Sequence, residues 1–199
     1  LIWHPYAHPY PKGKFSKFYN SEMSHKELYQ ESASQLNRRF NPTIKYLNKL
    51  SGEKPVWLTE WGVTAPQDKR DEHFTDFLKG PYQSLYAASG MIMISLEPSI
   101  ELANYHNASR LWVENRDGYY LTPLWKVFKL FAEAISESKQ AYRVDFDNLI
   151  KTEGPSLIGA FYKGLSKSHL ILVNQGEQEY QLSDLTFSSD AASSNNLVR

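Results

Sequence analysis

At 199 residues and without cysteine, the chain has room for one large domain or two small ones, and it excludes disulfides, thiolate metal sites and cysteine nucleophiles. Its 22 basic and 22 acidic residues cancel without any basic run. Neither nucleic acid nor an anionic membrane surface is therefore an expected partner, and no stretch approaches the roughly 18 apolar residues of a membrane span. Aromatic residues are abundant (5 Trp, 13 Tyr and 10 Phe), which suits cores, interfaces and sugar-stacking faces alike.

Leu1-Ile2-Trp3 opens the chain as an apolar, strand-like run with no Met, signal peptide or polar lead-in. Chain ends usually reach solvent rather than start inside a buried strand, so residue 1 is expected to be an internal point of a longer polypeptide. A mature N-terminus made by processing is the alternative. The strand Leu1 to Tyr6 feeds a loop rich in Pro, Gly and Lys over Pro5 to Lys17. From Ser24 to Leu50, Leu28, Leu36, Phe40, Ile44 and Leu47 recur at helical spacing, with Pro42 predicting a kink or a break. Ser51-Gly52 closes that helix. Val56 to Thr59 is a buried strand by length and flanks. A helix is predicted over His73 to Ala88, and Gly90 to Leu96 fits a helix end or a strand.

Leu102 to Trp112 then runs into a polar loop over Glu114 to Gly118. Thr122-Pro123 is a helix start, and Leu124 to Ile135 is amphipathic. After about Gln140 the period shortens to two. Strands are predicted at Tyr142 to Phe146, Leu157 to Tyr162, His169 to Val173 and Tyr180 to Leu185, mostly parted by turns at Glu153-Gly154-Pro155, Lys163-Gly164 and Gln175-Gly176. The tail Ser188 to Asn196 is rich in Ser, Asn and Ala. The expected organisation is α/β over residues 1–137, the C-terminal part (about strands 6–8) of a (β/α)8 barrel, followed by an antiparallel β-sandwich over 138–199. A closed barrel of this type takes roughly 250 residues, so about five β/α units would precede this chain.

Glu60 follows the run Pro55-Val56-Trp57-Leu58-Thr59, which places it near the C-terminal end of a buried parallel strand, the rim where barrel chemistry occurs. Trp57 and Trp61 bracket it and Gly62 permits a sharp turn. A carboxylate so placed can attack an anomeric carbon or stabilise positive charge on a sugar ring; a surface Glu opening a loop is the plainer alternative. The run Pro-Val-Trp-Leu-Thr-Glu-Trp-Gly (55–62) resembles the seventh strand of the clan of retaining glycoside hydrolases that share a barrel and two catalytic glutamates. Ile2-Trp3-His4-Pro5-Tyr6 is similar to the preceding strand of that clan, and Leu121 to Phe131 to its closing helix. Families with an added sandwich include arabinofuranosidases and β-xylosidases.

The resemblance implies that Glu60 is the nucleophile, with His4 and Tyr6 holding its carboxylate or meeting the sugar. Trp61, Asn104, His106 and Trp112 would contact the carbohydrate substrate, Trp112 as a stacking platform or else as a core residue. It implies neither cofactor nor metal. It also demands a second carboxylate about 5 Å from the first, on a fourth strand and usually after an Asn. This chain has no Asn-Glu pair, and Glu97 and Glu114 both follow Glu60. The acid/base is thus expected from a missing N-terminal barrel segment of the same protein. A carbohydrate-binding protein on a degenerate barrel, stacking sugars on Trp57, Trp61 and Trp112, is the alternative; a scaffold whose aromatics are simply core is a third. His25, His73 and His169 show no metal-ligand spacing, Asp145 and Asp147 read as solvated, and Asn107-Ala108-Ser109 matches a glycosylation triplet.

Overall fold

In the computed structural model, which describes residues 1–9, 23–52, 54–65, 71–144, 157–176 and 195–196, the chain forms a mixed α/β structure with three separate sheets. The strand expected at 180–185, the turn at 153–155, Asp145, Asp147, most of the loop over 5–17 and most of the tail lie outside those residues. In the first sheet, β1 (Tyr6–Ala7), β2 (Val56–Val63) and β3 (Ile100–Tyr105) run parallel in the order β1-β2-β3. Pairing of the first strand reaches back to the chain start: Trp57 N–H donates to the Leu1 carbonyl at 2.7 Å and Trp3 N–H to the Trp57 carbonyl at 2.9 Å.

Helices cover one face of this sheet. Val56, Leu58, Trp61 and Val63 are buried there against Leu28, Phe40, Ile44, Phe74, Phe77 and Tyr86; each fully buried large apolar side chain contributes about 1.5–3 kcal/mol. The other face is open, with Ile2 66%, Trp57 45% and Leu102 38% exposed. Among the described residues the sheet does not close into a barrel.

α1 (His25–Ser51) starts at a capping box, in which the Ser24 hydroxyl accepts from Glu27 N–H and Glu27 accepts from Ser24 N–H at 2.7 Å. It passes Pro42 without a break. Pro42 and Arg38, whose carbonyl loses its helical partner, both lie on the exposed side, where water can satisfy that carbonyl. The helix predicted over 73–88 is two helices, α2 (Glu72–Lys79) and α3 (Pro81–Ser95), because Gly80 is extended and Pro81 starts a new first turn. Residues 90–95 belong to α3 and not to a strand.

After β3, a 3-10 turn (Ala108–Leu111) leads to a hairpin of β4 (Trp112–Asn115) and β5 (Gly118–Leu121), where a polar loop was expected. α4 (Pro123–Glu137) follows, and β6 (Ser138–Arg143) begins at the next residue. β6, β7 (Leu157–Gly164), β8 (Ser168–Asn174) and β9 (Asn195–Asn196) make an antiparallel sheet in the order β8-β7-β6-β9. This sheet is one layer laid on helices: Ala141, Ala160, Tyr162, Ile171 and Val173 share a core with Ala88, Ile92 and Leu96 of α3 and with Phe131 and Ala134 of α4. No second antiparallel layer, as a sandwich requires, is seen among the described residues.

Candidate active site

A β-bulge in β2 builds the site. Leu58 pairs with Ala103 and Trp61 with Tyr105, so β2 takes three steps where β3 takes two. The extra residue breaks the two-residue alternation. Leu58 (0% exposed) and Trp61 (3%) both stay in the helix-side core, while Thr59 and Glu60 between them are only partly buried. Trp61, expected at the sugar, is therefore a core residue. It packs edge-on to Tyr105 at 5.0 Å and lies over Gly90 of α3. Gly62 completes the bulge at φ +147, a conformation L side chains rarely adopt, and a Cβ there would stand 3.0 Å from the His106 carbonyl.

The first strand meets Thr59 and Glu60 with its own polar side chains. The Tyr6 hydroxyl donates to Glu60 Oε2 at 2.6 Å, joining residues 54 positions apart. His4 bonds to the Thr59 hydroxyl at 2.6 Å and not to the carboxylate, because the bulge turns Thr59 toward it. His106, just past the end of β3, sets its ring edge-on to Tyr6 at 5.8 Å, and its buried Nδ1 has no hydrogen-bond partner among the described residues. The Tyr6 hydrogen bond holds the Glu60 carboxyl below the usual carboxylate range; partial burial opposes this, and the His106 and His4 imidazoles reinforce it. Glu60 is thus an ionised carboxylate at neutral pH.

Tyr6, Glu60, His4 and His106 come together, whereas among the described residues Asn104 and Trp112 share no hydrogen bond or ring contact with them. Asn104 is exposed on β3, and Trp112 lies on the hairpin, beyond the 3-10 turn. A cleft of about 740 Å³ runs along β1 and α1, lined by Trp3, His4, Tyr6, His8, Glu31 and Arg38 among others, and it borders the partners of Glu60 and not Glu60 itself. The tempting carboxylates are engaged elsewhere: Glu97 accepts from the Ser99 hydroxyl at 2.7 Å and Glu114 from the Tyr119 hydroxyl at 3.1 Å.

Sequence reasoning overlooked Arg110. It is only 8% exposed, its Nη1 donates to the Val63 carbonyl at 3.0 Å, and its guanidinium carbon sits 5.9 Å from the centre of the Tyr105 ring. Among the described residues no carboxylate pairs with it. Gln83 and the Tyr105 hydroxyl are hydrogen-bonded nearby, and the Tyr86 hydroxyl donates to the Gly62 carbonyl at 3.2 Å. Burial pushes both tyrosines up, so they stay neutral, Tyr86 as a donor to Gly62 and Tyr105 as an acceptor from Gln83. This polar cluster braces Gly62 and Val63 from behind the strand that presents Glu60. An arginine in sequence reads as surface, and only the fold reveals its burial.

His25 and His73 come together: their ring centres lie 4.4 Å apart, with His25 Nε2 bonding the His73 carbonyl at 3.0 Å and His73 Nε2 the Met23 carbonyl at 2.7 Å. They clasp the starts of α1 and α2. Among the described residues no group of three or more His, Cys, Asp or Glu could hold a metal ion. Compared with protein-family models, curated proteins and solved structures, the chain finds no match in any of the three.

Proposed function

We propose that this chain carries the nucleophilic half of a retaining glycoside hydrolase acting on poly- or oligosaccharides. The observation that carries this reading is the Tyr6–Glu60 bond at 2.6 Å, which fixes an ionised carboxylate on the late part of a parallel strand beside an open sheet face. The bond occupies Oε2 and leaves Oε1 to attack. In the reaction, Oε1 forms a bond to the anomeric carbon as the glycosidic C–O bond breaks, and a second carboxylic acid protonates the departing oxygen. The same carboxylate then deprotonates a water that displaces Glu60 and restores it. The Tyr6 hydroxyl stabilises the carboxylate on departure, and His4, His106 and the exposed Asn104 offer hydrogen bonds to sugar hydroxyls.

The second carboxylate belongs, in this reading, to an N-terminal barrel segment of the same protein. A parallel sheet is ordinarily covered on both faces. Here, among the described residues, β1 and β3 are the edge strands of a three-stranded sheet, and Ile2, Trp57 and Leu102 are exposed on its uncovered face, as they would be before the rest of a (β/α)8 barrel closed over them, with β1, β2 and β3 as about its last three strands. The test uses the polypeptide that carries this segment together with this chain. Glu60→Ala is expected to abolish hydrolysis of aryl glycosides, and added azide to restore turnover by forming a glycosyl azide of inverted anomeric configuration. Full hydrolysis by Glu60→Ala without azide would overturn the proposal.

A further inference from the structure

The hairpin that leaves the β3 end of the site shows large side chains to solvent on both faces. Its register pairs Trp112 with Leu121 and Glu114 with Tyr119 on one face, and Val113 with Tyr120 on the other. Trp112 is 39%, Tyr119 69%, Tyr120 50% and Leu121 61% exposed. A two-stranded ribbon alone is marginal in water, and this one is pinned at both ends. At its root the buried Thr122 donates its N–H to the Leu111 carbonyl at 2.9 Å and its hydroxyl to the Arg110 carbonyl at 2.8 Å. At its tip Asn115 Oδ1 accepts the Asp117 N–H at 2.8 Å. A pinned ribbon that still shows several large apolar side chains to water marks a recognition surface.

The chemistry of the Trp112 face selects the occupant. The Tyr119 hydroxyl donates to Glu114 Oε1 at 3.1 Å, which tethers the ring beside an acceptor-only group. A sugar ring presents a face of C–H bonds and a rim of hydroxyl donors. Tyr119 and Trp112 match the C–H face, and the remaining lone pairs of Glu114 match the hydroxyls. Cores of protein–protein interfaces are instead depleted of Glu. The ribbon also springs from the C-terminal end of β3, the same end of the parallel sheet as Glu60. We infer that the face formed by Trp112, Glu114, Tyr119 and Leu121 is a saccharide-binding arm, holding a length of glycan beyond the bond that Glu60 attacks. The link to cleavage rests on the glycosidase reading; the binding itself does not.

Native gel electrophoresis of the 199-residue chain in gels containing soluble xylan, arabinan or mixed-linkage β-glucan tests this. The expected result is retardation by at least one polysaccharide, weakened roughly 2- to 10-fold in apparent affinity by Tyr119→Ala, the worth of one aromatic stacking contact. Tyr119→Phe, which keeps the ring, is expected to lose less than Tyr119→Ala, and Tyr120→Ala on the opposite face to lose nothing. All three positions are exposed, and far-UV circular dichroism checks that each variant is folded. No retardation by any of the three polysaccharides overturns the inference, as does retardation unaltered by Tyr119→Ala. Self-association of the chain that Tyr119→Ala abolishes, with no retardation, assigns the face to protein contact and overturns it too. Retardation together with no glycosidase activity in a polypeptide that joins this chain to its proposed N-terminal segment leaves the arm standing and removes only the enzymatic reading.

Discussion

Gly90→Ala probes the packing that aims Glu60. In an open helix interior the change stabilises by about 1 kcal/mol, since Ala is the better helix former. At Gly90 a Cβ would stand 2.5 Å from Trp61 Cζ3, 3.0 Å from Cη2 and 3.3 Å from Cε3, all on the six-membered ring of the indole. That ring has little freedom to yield: Trp61 is 3% exposed and abuts Tyr105, which itself packs on Phe128 at 5.2 Å. Overpacking of this kind costs about 1–3 kcal/mol. Set against the helix gain, Gly90→Ala should destabilise by up to about 2 kcal/mol in urea unfolding followed by circular dichroism. In a Trp61→Leu background the aromatic ring is gone, and the same change should stabilise by about 1 kcal/mol. The two effects should therefore be coupled by about 1–3 kcal/mol in the double-mutant cycle. A stabilisation of similar size in both backgrounds would refute the reasoning, because Trp61 would not rest on Gly90 and the bulge turning Glu60 outward would lose its anchor.

Tyr6→Phe should raise the Glu60 carboxyl toward its ordinary value, read by carbon-13 NMR titration of the side-chain carboxyl; an unmoved titration would show that the hydrogen bond is not formed. Because the folded value is depressed, the stability this bond confers is complete above the ordinary carboxylate range and is lost as pH falls through the folded value, so Tyr6→Phe should flatten the acid limb of the unfolding profile. Burial pushes Tyr162 up to about 12, against a Ser95 hydroxyl at 2.7 Å. Its neutral form therefore stabilises the fold fully below the ordinary tyrosine range, and about 1.4 kcal/mol per pH unit is lost above pH ~10, a slope that Tyr162→Phe should remove. Gln35 is buried and its amide accepts from the His8 N–H at 2.9 Å while donating to the His8 carbonyl. Gln35→Leu should cost about 1–3 kcal/mol in urea unfolding, and an unchanged midpoint would mean that β1 does not need this clamp.

The alternation of helix and strand through Glu137 was legible in the periodicity, and so was the switch to antiparallel strands that begins at Ser138. Local chemistry accounts for two differences. Gly80-Pro81 splits the predicted helix in two, and Asp117-Gly118, a hairpin signal, turns the predicted polar loop into a hairpin. The remaining differences could not be read locally. Trp57-Leu58-Thr59-Glu60-Trp61 looks like ordinary alternation, and whether Trp61 faces a sugar or the core depends on the missing side chain at Gly90, which lies on another element. The pairing of Tyr6 with Glu60 came from the resemblance of both strand ends to one clan, and the geometry places those two side chains in contact. The burial of Arg110 and the meeting of His25 with His73 depend on long-range packing that no window of sequence contains.

The claim that Glu60 is a nucleophile is tested most directly by trapping. A polypeptide containing this chain and the N-terminal barrel segment proposed above is incubated with activated 2-deoxy-2-fluoro glycosides of xylose and arabinose, digested, and mapped by mass spectrometry. The account predicts one glycosyl adduct, on the peptide containing Glu60 and on that carboxylate. An adduct on any other residue, or hydrolytic activity that these inactivators slow without labelling Glu60, would contradict it.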